Sequence, residues 1–62
     1  NIFIKVSIHD LLGDQVHIII NKVLSKGRHN FSWNAQDQLS GIYFIRTEID
    51  DRVETRKIML LK

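Results

Sequence analysis

The residues of this chain with the most chemical potential are three histidines, His9, His17 and His29, and the carboxylate of Asp10, because imidazole and carboxylate ligate zinc or copper. Their arrangement does not make a site. His9 and His17 fall opposite the apolar rows of alternating segments, which puts them on solvent faces, and no ligand spacing joins the three. Ser32, Ser40 and Asp37 beside a histidine assemble a nucleophile triad only on paper, since catalysis also needs an oxyanion site and a pocket. At 62 residues the chain is at most one small domain, near the size where one core only just offsets chain entropy. The expectation is a chain that is not an enzyme, with no catalytic, cofactor-binding or metal-ligating residues.

Two other groups bear on recognition. Trp33 and Tyr43 have the chemistry of a carbohydrate or peptide platform, but both stand in alternating segments, where large aromatics dominate the core of a small domain. Lys57 and Lys62 flank an apolar run, Ile58-Met59-Leu60-Leu61. This stretch is either a final strand kept soluble by its lysines or a strand that a receptor reads by adding its own edge to it. Nine Lys and Arg against seven Asp and Glu give a net charge of +2. Lys5, Lys22, Lys26, Arg28 and Arg46 lie apart, and only Arg52, Arg56, Lys57 and Lys62 gather near the end. No basic stripe with an aromatic or recognition-helix context forms, so nucleic acid is not an expected partner.

The elements that hold these residues read as strands. Ile2, Ile4, Val6 and Ile8 alternate with Phe3, Lys5, Ser7 and His9, giving a strand over 2–9 with one face in the core. Asp10-Leu-Leu-Gly-Asp14 breaks it, with Gly13 free to take the positive φ of a tight reversal. A second strand, 15–20, turns Val16, Ile18 and Ile20 one way, and a connection over 21–27 is anchored by Leu24. Phe31 and Trp33, two apart, point to one face of a third strand over 28–34. Strands over 42–49 and 52–61 form a hairpin about Asp50-Asp51. Ile4, Val6, Ile8, Val16, Ile18, Trp33, Tyr43 and Ile45 are the expected core, and no segment sustains a helical period.

Five strands at intervals of roughly ten residues fit an all-β sandwich or barrel. Gly41 opens the strand that carries Tyr43, and Tyr43 lies two residues before the inward Ile45. That is the spacing of a tyrosine corner and favours an immunoglobulin-like antiparallel β-sandwich. The 44% hydrophobic content is that of a folded chain. With no cysteine, neither disulfide nor thiolate metal site staples it. No apolar run approaches the ~20 residues of a membrane helix. The start at Asn1, without initiator Met or signal-peptide pattern, reads as a segment of a longer protein.

Four stretches in order, His9-Asp10-Leu11-Leu12-Gly13 with Val16, then Trp33, then Ser40-Gly41-Ile42-Tyr43-Phe44-Ile45-Arg46, then Arg56-Lys57-Ile58-Met59-Leu60-Leu61-Lys62, resemble the C-terminal sorting domain of type IX secretion cargo. The resemblance covers the whole chain, with His9 standing where a Tyr or Phe is usual. It implies a non-catalytic C-terminal signal that directs a cargo through the periplasm and outer membrane of a Gram-negative bacterium to the cell surface or the medium. The implied partners are the outer-membrane translocon, its shuttle protein and a surface sortase whose scissile bond lies upstream. The implied signal residues are Lys57, Ile58, Met59, Leu60, Leu61 and Lys62, with Gly13, Trp33, Gly41 and Tyr43 as structural positions. Members have about seven strands, so residues 1–62 read as most of one domain whose first strands are absent. A strand-completing or self-association partner is then expected. A structural or adhesive immunoglobulin-like module, of flagellar hook-cap or glycan-binding type, is the alternative.

Overall fold

The computed structural model describes residues 1–25 and 27–62, and Lys26, in the connection 21–27, lies outside them. Four strands form: β1 (Ile2–His9), β2 (Gln15–Leu24), β3 (Gly41–Ile49) and β4 (Arg52–Leu60). They make one open antiparallel sheet in the order β2-β1-β3-β4, and no helix occurs among the described residues. The architecture is all-β and consistent with a fragment of an immunoglobulin-like sandwich.

Alternation in β1 builds the core. Register sets Ile4 opposite Ile49, Val6 opposite Thr47 and Ile8 opposite Ile45, so one face collects the β-branched row of β1 and the odd-numbered residues of β3. Val6, Ile8 and Tyr43 on this face are buried, Ile8 completely. Burial of one such aliphatic side chain contributes about 1.5–3 kcal/mol.

The turns are made by side chains of short reach. Asp10 Oδ1 accepts from the amides of Leu12 (2.9 Å) and Asp14 (3.0 Å), and Gly13 closes the turn at φ 88°, where a Cβ is strained. Asp50 takes φ 51° in the β3–β4 hairpin, a conformation that Asp tolerates better than most residues. Its carboxylate accepts from the Phe3 amide (3.2 Å) while its own amide donates to the Phe3 carbonyl (3.0 Å), which fastens the hairpin to the start of β1.

Several expectations need correction. Residues 28–34 do not form a strand. The segment crosses the covered face of the sheet, where Phe31 lines a groove of about 220 Å³ with Ile2, Ile4, Leu24 and Ile49, and Trp33 meets Tyr43 edge to face at 5.3 Å. Trp33 is half-buried while Phe31 stays 38% exposed at the groove, and among the described residues no strand lies beside the segment to complete a ladder. The second correction is Ile18, which is 42% exposed. Pairing of β1 with β2 slips at Val6/Ser7 and again at Ile8/His9, so β2 carries extra residues that break its period of two. Strand β2 also runs on to Leu24, which pairs with Ile2 instead of anchoring a loop. Ile4, Val16, Trp33 and Ile45 are half-buried instead of buried, because the covering layer is one extended segment.

His9 is a further correction. It does not stand free on a solvent face: its Nε2 lies 3.0 Å from the hydroxyl of Ser7, which is 1% exposed on the central strand. Its Nδ1 faces the Gly13 carbonyl at 3.4 Å, so a neutral ring donates to that carbonyl and accepts from Ser7. The histidine thereby links β1 to its following turn.

Candidate functional site

The last strand differs from the other edge of the sheet. β4 pairs with β3 in unbroken register from Gly41↔Leu60 to Ile49↔Arg52, nine residues without a bulge, and its other edge has no neighbour among the described residues. β2, at the opposite edge, is interrupted twice. A long regular edge offers a row of free amides and carbonyls to an added strand, whereas bulges discourage it.

Side chains on β4 are mostly exposed; only Ile58 and Leu60 are half-buried, on the covered face with Tyr43. Met59 (66% exposed) sits across from Ile42 on the other face, and Leu61 (79%) follows the strand. The end of the chain is tied down. The Lys62 amide donates to Ser40 Oγ at 3.0 Å and its ammonium donates to the Gln36 carbonyl at 2.6 Å. The receiving loop is shaped by Asn34, whose Oδ1 accepts from the Gln36 amide (3.1 Å), and by a Gln38 to Ala35 backbone turn (3.0 Å).

Tyr43 completes this unit. Its hydroxyl donates to the Leu39 carbonyl at 2.6 Å, four residues upstream, while its ring packs against Trp33. This is the bond expected of a tyrosine corner. It couples the loop that receives Lys62 to the start of β3, the strand that Gly41 opens. Gly13, by contrast, serves the β1–β2 turn.

The remaining candidates scatter. His29 Nε2 donates to the Ser25 carbonyl (2.8 Å) and its ring stacks on Phe31, and His17 is exposed opposite Ile8 on β2. No three metal-ligating side chains converge among the described residues. Ser40 is engaged with Lys62. Sequence reasoning missed the exposure of Leu11 (66%), Leu12 (86%) and Leu39 (83%), which line one shallow depression with Ile42 and Tyr43. The available signal was the adjacent leucine pair inside a turn, a place where apolar side chains find little cover.

Residues 1–61 match the family described as the secretion system C-terminal sorting domain. The chain belongs to this family. No curated protein and no solved structure matches it. As a type IX sorting domain, the chain is a C-terminal secretion signal, of a family of signals and not of enzymes, and its role is export to the cell surface or release. A sorting domain works through contact with the secretion machinery.

Proposed function

We propose that residues 1–62 are the single sorting domain of a cargo protein and that the signal is read on the terminal strand, Lys57 to Lys62, by the outer-membrane translocon and its shuttle protein. The observation that supports this reading is the uninterrupted nine-residue edge of β4, with Met59 and Leu61 exposed beside it. A receptor shared by many cargos must read what they have in common, and an added strand supplies backbone hydrogen bonds with modest side-chain specificity. A surface sortase acts upstream of these residues. Gly13, Trp33, Gly41 and Tyr43 serve the fold and do not touch the receptor.

The thin cover of the sheet motivates a second element of the proposal. Among the described residues only Val6, Ser7, Ile8 and Tyr43 are buried, and segment 28–34 lies over the sheet without a ladder partner. A further strand, from this protein or from a second copy, pairs with it in the working state.

Transplantation tests the sorting role. Residues 1–62 fused behind a periplasmic reporter in a host with type IX secretion should bring the reporter to the surface or the medium. The same fusion ending at Arg56 should leave it in the periplasm. Surface delivery by the truncated fusion would remove the assignment to the terminal strand, and periplasmic retention of both would remove the sorting role of this chain.

A further inference from the structure

Charge is divided unevenly along the sheet. From Arg52 to Lys62 four cations face one acid, Glu54, whereas residues 1–51 carry five cations against six acids. The excess therefore sits on the strand whose outer edge is free, and Arg56 and Lys57, side by side in sequence, project to its two faces, both exposed. Beyond them the strand turns apolar at Ile58, Met59 and Leu60. The apolar character continues past its end: Lys62 holds Leu61 beside Ser40, and the neighbouring Leu39 shares its depression with Leu11 and Leu12.

We propose that the occupant of the β4 edge is a protein strand with carboxylates opposite Arg56 and Lys57 and apolar side chains opposite Ile58 to Leu60, and that the partner's chain then rests on Leu11, Leu12 and Leu39. This rests on the reading of β4 as the strand the export machinery pairs with, and it adds the chemistry of that partner. Opposite charges directly across a strand pair attract and like charges repel. A second copy added through β4 would set two strands of net positive charge side by side, so the edge is built for a different, acidic chain. The doubly bulged β2 edge is the poorer template on geometric grounds.

Titration of the isotope-labelled 62-residue chain with a ten-residue peptide of valine and glutamate, and with its valine and lysine counterpart, tests this. The glutamate peptide should slow amide exchange along the outer edge of β4, shift the methyl signals of Met59, Leu11 and Leu12, and bind more weakly as salt rises. Arg56→Glu with Lys57→Glu, both at exposed positions that leave the fold intact, should weaken binding by roughly tenfold or more. Equal binding of the lysine peptide, protection confined to β2, or no binding at all would overturn the proposal. Failure here, with export of the full fusion and periplasmic retention of the one ending at Arg56, leaves the sorting role standing and removes only the acidic partner.

Discussion

Tyr43 is the residue on which most of the local order converges. Its hydroxyl donates to Leu39, its ring meets Trp33, and its backbone pairs with Ile58 of β4. Replacing it by phenylalanine keeps the packing and leaves one carbonyl unpaired, so Tyr43→Phe should cost about 1 kcal/mol, read as a lower urea midpoint with an unchanged slope. A midpoint equal to that of the parent would show that the corner bond contributes nothing. Gly13 gives a second test. Its φ of 88° is strained for any residue with a Cβ, although open space surrounds the position, so Gly13→Ala should cost about 1–3 kcal/mol through backbone strain alone. An unchanged midpoint would mean that the turn relaxes without effort. At this scale the sequence spoke clearly about Gly13 and Tyr43, because their roles follow from local spacing. The contacts of Lys62 with Gln36 and Ser40 join residues 26 and 22 positions apart, and no local pattern encodes them.

Among the elements, β1 was legible because alternation of apolar and polar residues is the direct signature of a half-buried strand, and β3 and β4 because the Asp50-Asp51 turn between two strand-like runs marks a hairpin. β2 was legible as a strand but not in its facing. The run Ile18-Ile19-Ile20 offers two apolar registers, and the slips opposite Val6/Ser7 and Ile8/His9 choose one that leaves Ile18 largely outside. Stability should follow the observed facing: Ile8→Ala should cost about 2–5 kcal/mol, and Ile18→Ala about 1 kcal/mol or less. Equal losses at both positions in chemical denaturation would contradict the bulged register. Segment 28–34 failed as a strand for a different reason. Alternation specifies which way Phe31 and Trp33 point, but a ladder also needs a neighbour, and partner availability is a property of the whole assembly. The candidate signal run, Lys57 to Lys62, was visible in the sequence as a basic and apolar ending. Its setting on the regular edge, and its continuity with Leu11, Leu12 and Leu39, came only from the sheet order.

At the scale of the whole molecule, one four-stranded sheet with a single extended segment over one face leaves many apolar side chains half in water. The isolated 62-residue chain should therefore self-associate, and sedimentation should show species heavier than 7.3 kDa that revert to monomer when a covering strand is supplied. A stable monomer with cooperative unfolding at all concentrations would remove the need for further cover. The sorting role itself rests on an exposed strand, which gives it a more direct test than stability. Met59 and Leu61 are solvent-facing on and just beyond the free edge of β4, whereas Val23 (59% exposed) occupies the bulged edge of β2. The deciding measurement is the distribution of the full cargo between periplasm and cell surface for two variants, Met59→Asp with Leu61→Asp, and Val23→Asp, each with its fold checked by circular dichroism. Recognition at β4 requires that the first variant, still folded, be retained in the periplasm while the second is exported as the parent is. Normal export of a folded Met59→Asp, Leu61→Asp cargo would contradict the account.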